Sequence, residues 1–213
     1  WLKKQNINNL KILIEMSKAN ATHSIEDVTS TGAFDRLLPA SKKLAKGGCD
    51  LIMWSCTSGS FAGGMHWSKT QVKELSLEVK LPVSSTSLAI VSALRIFPGK
   101  TVDILSPYPE PLTLRFQKFL IKSGIRIGRI KALDYNTGSD SHNIDIHSAV
   151  CDFSETPNKQ NKLILVPDTA INTLDKIAEI EHDIQQPLVT ANQATIWHAL
   201  GLLNLPQIAY NSG

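Results

Sequence analysis

The sequence has little of what marks several large classes of protein. Its three cysteines, Cys49, Cys56 and Cys151, are an odd number and form no CxxC motif, which favours a reducing cytoplasm over a disulfide scaffold. No apolar run approaches the ~18 residues of a membrane span, and no segment resembles the apolar region of a signal peptide. We therefore expect a cytoplasmic protein that has no membrane partner.

Clustered charge and glycine-rich phosphate loops are also missing. The formal net charge is +3 and the basic residues are spread along the chain, so no nucleic-acid partner is expected. The glycines between positions 59 and 64 match neither the P-loop nor the GxGxxG pattern. Five histidines show no metal-ligand spacing with the cysteines; they are His23, His142, His147, His182 and His198.

Strands and helices are predicted to alternate along the 213 residues, of which 42% are hydrophobic. The predicted strands are 10–16, 51–55, 82–86, 102–105, 126–133, 163–166 and 187–189. The predicted helices are 33–46, 69–79 with Ser68 as N-cap, 87–97, one carrying the apolar stripe of 112–120, 144–153, 171–184 and 192–202. Segments 24–31 and 134–143 are polar and are expected to be loops. This alternation predicts an α/β fold with mostly parallel sheets and helices on their faces.

Two stretches of the chain repeat in pattern. Residues 50–57 match 162–169, and residues 82–89 match 187–194, each pair reading as a strand, a loop of small residues and a helix start. The repeat predicts two similar half-domains, 1–97 and 98–213, the end of the second packing back on the first. It places Cys56 and Asp168 at equivalent positions, where they could face each other across a cleft.

Cys56 is the candidate nucleophile. It follows the short apolar run 51–54, and the small residues after it offer backbone N–H groups that a carboxylate could approach. We expect those N–H groups and a following helix start to lower the thiol pKa below about 8.5. The alternative is an inert buried cysteine, which we favour for Cys49 and Cys151. His66, near this loop, could pair with the thiol but is more in keeping with the surface.

Asp168 is the candidate acid or base on the opposite side. Burial and a neighbouring thiolate should raise its pKa. The alternative is that it only caps a following helix. Asn192 either lines the cleft or caps the last helix, and Thr190 and Gln193 lie beside it. Asn136 and Asn143, in the polar loop, are two further side chains that could reach the cleft.

Four motifs together resemble the aspartate/glutamate/hydantoin racemase superfamily, in the branch of maleate cis–trans isomerase and arylmalonate decarboxylase. They are SCTSGS at 55–60 with Gly63, SST at 84–86, SPY at 106–108 and TANQATIW at 190–197. The resemblance implies two pseudo-symmetric Rossmann-like half-domains, a site in the cleft between them, no cofactor and a homodimer. Cys56 resembles the first-half catalytic cysteine. By position, Thr57, Ser58 and Ser85 resemble carboxylate-binding loop residues, and Tyr108 resembles a substrate-contacting tyrosine. Thr169 and Asn192 are two further candidate substrate contacts.

The sequence departs from that family pattern in two places. Family members begin with a strand that carries a substrate-binding Asn, Thr or Asp, ahead of the equivalent of residues 10–16. Because the chain begins at Trp1 without that strand, we expect a fragment or a processed form. The second departure is Asp168, which stands where many members have a second cysteine. Racemisation by two thiols is therefore in doubt, and two facing anions disfavour a dicarboxylate such as maleate.

These observations leave several hypotheses open. The first is a cofactor-independent isomerase, racemase or decarboxylase that acts on a small carboxylic acid through the Cys56 thiolate. The second is a non-catalytic relative that binds a small carboxylate. The third is an accessory enzyme similar to the ectoine-utilisation members of the superfamily.

Overall fold

The computed structural model describes residues 10–156 and 158–205. The strands are β1 (Ile52–Trp54), β2 (Val83–Ser85), β3 (Thr101–Ser106), β4 (Ile127–Ala132), β5 (Lys162–Val166) and β6 (Leu188–Thr190). The helices are α1 (Ile25–Thr31), α2 (Phe34–Lys46), α3 (Thr57–Phe61), α4 (Gly64–Val79), α5 (Thr86–Leu94), α6 (Glu110–Lys122), α7 (Gly138–His142), α8 (Ile146–Ser154), α9 (Ile177–Ile184) and α10 (Ala191–Leu202).

The strands form two sheets, and every strand pair in them is parallel. β1 pairs with β2, and the larger sheet has the order β4-β3-β5-β6. Parallel neighbours need a crossover between them, and the intervening helices supply it. The predicted α/β fold with parallel sheets is therefore confirmed. Across residues 10–156 and 158–205, no helix combines the length and apolar character that crossing a bilayer requires.

The repeat seen in the sequence is reproduced in strand register. Ile52 pairs with Val83 in the small sheet, and Ile164 pairs with Leu188 in the large one. In each case the first partner's N–H donates to the carbonyl of a proline, Pro82 or Pro187, at 3.0 Å. The two strand pairs thus share one backbone pattern, and each leads directly into a helix, α5 or α10.

The two halves share one apolar core. Phe61 of α3 packs against Tyr108 and Phe116, with ring centroids 6.0 and 4.7 Å apart. Helix α10 packs against α5, where the hydroxyls of Thr86 and Thr195 lie 2.8 Å apart within the interface. Helix α10 of the second half therefore contacts the first half. The division at residue 97 stays a prediction.

The predicted strand at 10–16 is wrong. This segment has no regular secondary structure, and Ile12, Ile14 and Met16 are exposed, with 80% of Ile14 open to solvent. A strand needs a hydrogen-bonded neighbour, and within the described residues β1 pairs only with β2. An apolar run is thus not sufficient to make a strand.

Two segments predicted as loops contain helices instead. The 24–31 segment forms α1, because the Ser24 side chain accepts a hydrogen bond from the N–H of Asp27 and caps the first turn. The 134–143 segment contains α7, which begins with a capping box between Thr137 and Asp140. Polar composition concealed both helices, because the polar side chains are the caps.

Three predicted helix ends are also corrected. Ser68 lies inside α4 and does not cap it; its hydroxyl donates to the carbonyls of Ser60 and Gly64. Residues 171–176 are not helical, and α9 begins only at Ile177. The N-cap of α10 is Thr190, which forms a capping box with Gln193, so Asn192 is not the cap.

Candidate active site

Cys56 and Asp168 lie two residues beyond the ends of β1 and β5, the equivalent strands of the repeat. They are close enough that the Asp168 carboxylate raises the pKa of the Cys56 thiol. Both act on the pKa of Tyr108 as well. The structure therefore places the predicted thiol and carboxyl group in one site.

The thiol of Cys56 is held close to its own loop. Sγ lies 3.9 Å from Oγ of Ser58, and the Gly59 N–H points toward the sulfur. A Cβ at Gly59 would lie 3.2 Å from Sγ and 2.7 Å from the Trp54 ring, so glycine lets the backbone approach. The loop then continues directly into α3, in which Cys56 is the N-cap residue without a side-chain cap.

The expectation of a lowered Cys56 pKa is wrong. Burial raises the pKa of this thiol above its ordinary value, and the nearby Asp168 charge adds to the rise. The Gly59 N–H and the Ser58 hydroxyl oppose the rise without cancelling it. At rest, the site therefore favours a neutral thiol over a thiolate.

Asp168 is almost completely buried, at 6% exposure. Its Oδ1 accepts a hydrogen bond from the Ala170 N–H at 3.0 Å. Burial raises the pKa of this carboxyl group, as expected; the Ala170 N–H, His23 and Ser141 lower it by less. The helix-cap alternative does not hold, because α9 begins only at Ile177.

Tyr108 connects β3 to the loop that carries Asp168. It is fully buried, and its hydroxyl donates a hydrogen bond to the carbonyl of Pro167. Burial raises its pKa well above the ordinary value, and the charges of Asp168 and Cys56 add to that rise. The phenol therefore stays neutral. Its role as a substrate contact stays a prediction, because its proton is engaged by Pro167.

Three buried polar atoms of the predicted site have no hydrogen-bond partner of normal geometry among the described residues. They are Oγ1 of Thr57, Oγ of Ser85 and Oδ2 of Asp168. Thr57 follows Cys56, and Ser85 is the register partner of Trp54 at the end of the neighbouring strand. A buried polar atom left unpaired costs about 1–3 kcal/mol. Buried polar atoms of this kind are typical of a site whose partner is a ligand.

The three other predicted substrate contacts, Ser58, Thr169 and Asn192, have different surroundings. Ser58 is buried beside the thiol. Thr169 reaches across to the first half, where its hydroxyl donates to the Ser55 carbonyl at 3.5 Å. Asn192 donates from its side chain to the carbonyls of Thr169 and Ile171, at 3.2 and 2.9 Å. Asn192 thus holds the segment after Asp168 in place.

Sequence reasoning missed His23 and Ser141. His23 is 8% exposed, and its ring lies edge-on to Tyr108 with centroids 4.9 Å apart. Its Nδ1 lies 2.8 Å from the Tyr135 carbonyl, so that nitrogen carries a proton, and the ring lowers the pKa of Asp168. Ser141, fully buried on α7, also lowers the pKa of Asp168. Neither residue belongs to a local motif that could have revealed it.

Of the two asparagine side chains proposed to reach the site, that of Asn143 bonds elsewhere, and the reach of Asn136 stays a prediction. The side chain of Asn143 donates to the Ser139 carbonyl, at the end of α7. Asn136 contributes its backbone carbonyl to the N–H of His23 at 2.7 Å. His66 is exposed on α4, in keeping with the surface alternative.

Fold and site together define a two-half α/β protein in which one thiol and one carboxyl group lie near each other among buried polar side chains. The chain belongs to the arylmalonate decarboxylase family, whose model matches residues 16–213. The resemblance noted from the sequence motifs is thereby confirmed.

The individual relatives include both maleate isomerases and arylmalonate decarboxylases. The maleate isomerase of Pseudomonas putida is 24% identical over 174 residues, covering 77% of this chain and 68% of the isomerase. The arylmalonate decarboxylase of Bordetella bronchiseptica is 24% identical over 167 residues, covering 76% of this chain and 68% of the decarboxylase. A crystal structure of a cysteine-to-alanine variant of maleate isomerase from Pseudomonas putida S16 with maleate superposes with a TM-score of 0.86 at 19% identity. It covers 100% of this chain and 87% of the isomerase chain. The related proteins are thus enzymes of two reaction types on one fold.

Proposed function

We propose that the protein is a cofactor-independent cis–trans isomerase that acts on a small unsaturated carboxylic acid through the Cys56 thiol. The observation that carries this is that buried polar atoms of Thr57, Ser85 and Asp168, at the strand ends of the predicted site, have no hydrogen-bond partner of normal geometry among the described residues. The hydroxyls of Thr57 and Ser85 suit a carboxylate, and a carboxyl group near the thiol suits proton transfer.

The resting proton arrangement supports a division of roles between Cys56 and Asp168. Burial raises the pKa of both groups, so the state in which both are ionised is disfavoured and the pair holds at least one proton. When the proton passes from Cys56 to Asp168, the thiolate forms without any change in the net charge of the pair. Asp168 is then the acid that faces the substrate.

Isomerisation then takes four steps. The thiolate adds to one carbon of the C=C bond while Asp168 gives its proton to the other, which leaves a C–C single bond. The substrate rotates about that bond. Asp168 takes the proton back, and the C–S bond breaks as the C=C bond reforms. The thiol finally recovers its proton from Asp168, so no atom is gained or lost.

A decarboxylase is the second candidate, and one observation favours it. A neutral Cys56 thiol, kept so by burial, is a proton donor rather than a nucleophile. In this reaction the C–CO₂⁻ bond of a malonate-type acid breaks and CO₂ leaves. The electron pair stays on the α carbon, which takes the Cys56 proton. Asp168 has no assigned step in that scheme, and this is why we place isomerisation first.

The test is a small panel of acids followed by proton NMR in deuterated buffer. Maleate and its mono-amide report cis–trans conversion, and an arylmalonate reports CO₂ loss with deuterium at the α carbon. We expect conversion of a cis acid, with the mono-amide favoured because only one carboxylate then meets Asp168. Mass spectrometry should detect a substrate adduct on Cys56 in wild type and none in Cys56→Ala.

Turnover should fall at least about a thousandfold in Cys56→Ala. Full activity in that variant would end both enzymatic proposals. Deuterium incorporation with CO₂ loss, in place of isomerisation, would move the assignment to the decarboxylase. Thermal stabilisation by these acids without turnover would identify a non-catalytic binding protein.

A further inference from the structure

We propose that helices α8 and α9 hold a zinc ion between His147, Cys151 and Asp183, which we call the α8–α9 triad. It is made of residues that the proposed reaction does not use. The sequence shows no metal-ligand spacing here, because the third ligand comes from another helix and because the pair on α8 is not a CxxC motif. Four positions along a helix nevertheless place His147 and Cys151 on one face.

The geometry of the triad is close to that of a zinc site. Sγ of Cys151 lies 3.9 Å from Nε2 of His147, which lies 2.8 Å from Oδ2 of Asp183. All three ligand atoms lie within 4.8 Å of one another. Tetrahedral zinc has Zn–N distances of about 2.0 Å and Zn–S distances of about 2.3 Å, which separate neighbouring ligand atoms by roughly 3.3–3.7 Å. Side-chain rotations that move the ligand atoms by about 1 Å would therefore complete three-ligand coordination. Water could fill the fourth position.

The two helices that carry the triad are anchored in the apolar core. Ile146 and Val150 of α8, together with Ile180 and Ile184 of α9, are buried in one apolar cluster. The two helices pack against each other along this cluster. The metal would therefore meet ligands whose Cα positions are already set, which lowers the cost of ordering the site.

The charges around the triad also suit a divalent cation. The acidic side chains of Asp183, Asp152 and Glu155 lie near the Cys151 thiol, together with the basic side chain of Lys159. The Asp183 carboxyl group is within hydrogen-bond distance of His147 and His182, at 2.8 and 3.1 Å. A bound cation would offset this negative environment and take the place of the thiol proton. His182, whose Nδ1 lies 3.1 Å from Oδ1 of Asp183, is placed to orient the carboxylate.

Zinc bound here would connect α8 to α9 within the second half of the molecule. β5, which leads to Asp168, lies between these helices in the chain. The triad itself consists of residues other than those assigned to the reaction. Its loss should therefore change metal binding and thermal stability far more than the chemistry at Cys56.

The experiment is titration of metal-free protein with cobalt(II) alone, followed by displacement with zinc. We expect one cobalt per chain and a thiolate-to-cobalt charge-transfer band in the near ultraviolet, removed when zinc is added. The band should persist in Cys49→Ser and Cys56→Ser and be lost in Cys151→Ser. His147→Ala and Asp183→Asn should each weaken cobalt affinity at least about tenfold. His66→Ala on α4, a histidine outside the triad, should leave it unchanged.

Zinc should also raise the melting temperature of wild type and not that of Cys151→Ser. Circular dichroism of each variant verifies that the fold is intact. Absence of a charge-transfer band in wild type would overturn the proposal. So would a band that survives Cys151→Ser, or an affinity that His147→Ala does not change.

Discussion

The carboxyl ends of β1 and β5 have the same backbone pattern but carry different functional groups, the thiol of Cys56 and the carboxyl group of Asp168. In both, the strand pairs in parallel with a proline-led neighbour in the same register. The chain after Cys56 enters α3 at once, so the thiol's partners are local, at Ser58 and Gly59. The chain after Asp168 does not become helical until Ile177.

No helix directly follows Asp168 in the chain, so its environment comes largely from distant segments. Its Oδ1 bonds to the nearby Ala170 N–H, but His23 and Ser141 come from elsewhere in the chain. Strand pairing thus sets where both groups lie, whereas their surroundings set how readily each ionises. Cys56 and Asp168 carry different functional groups, a thiol and a carboxyl group. Burial raises the pKa of both, so each favours its neutral form.

Asp168→Asn should have the largest effect, because it removes the acidic group from one of the two strand ends. It keeps the shape of the side chain but removes the proton carrier, so isomerase turnover should fall about 10²–10⁴-fold. Alkylation of Cys56 by iodoacetamide should become faster at fixed pH, because the Asp168 charge no longer raises the thiol pKa. Rates of turnover and of labelling, measured on the same protein, test both directions.

Asp175→Asn is the matched control for that variant. Asp175 is exposed in the segment between Asp168 and α9, so neither rate should change. A turnover rate in Asp168→Asn equal to that of wild type would remove Asp168 from the mechanism. A slower alkylation would contradict the electrostatic link between the two groups.

The unpartnered hydroxyl of Ser85 should separate binding from stability. Ser85→Ala removes a buried oxygen that lacks a partner, so the free energy of unfolding should be unchanged or rise by about 1 kcal/mol. Substrate KM should rise about tenfold, because a donor to the carboxylate is lost. Urea denaturation and steady-state kinetics measure the two effects.

Ser60→Ala provides the opposite case a few residues away. The Ser60 hydroxyl is fully buried, donates to the Thr57 carbonyl at 2.9 Å and accepts from the Ser87 N–H at 3.1 Å. Its loss should lower the free energy of unfolding by about 1–3 kcal/mol. If both variants destabilise the protein alike, the Ser85 hydroxyl is a structural group and not a ligand contact.

The smallest effect expected is in the pH dependence of stability. Asp168 has a pKa above its ordinary value of 3.8, so the folded state holds that proton more tightly than the unfolded state does. This stabilisation is complete below pH 3.8 and is lost as the pH rises through the folded-state pKa. Asp168→Asn should therefore gain melting temperature relative to wild type between acidic and neutral pH. A difference that is constant across this range would contradict the raised pKa.

Local sequence patterns were sufficient for much of the fold. Short apolar runs bounded by small residues predicted β1, β2, β3, β5 and β6 to within one or two residues at most ends, because strand and helix periods are local properties. They failed for residues 10–16, where no neighbouring strand is available, and for α1 and α7, where polar residues act as caps. The repeat was sufficient to pair Cys56 with Asp168.

The sequence by itself thus determined the parallel α/β framework and the two strand ends that carry a thiol and a carboxyl group. Only the tertiary structure decided their protonation, because burial and charges from distant segments set each pKa. It also decided that His23 meets the carbonyl of Tyr135, 112 positions away, and that Asp183 of α9 meets His147 of α8. Contacts of this kind follow from how helices and loops pack around the sheets, and no local pattern encodes them.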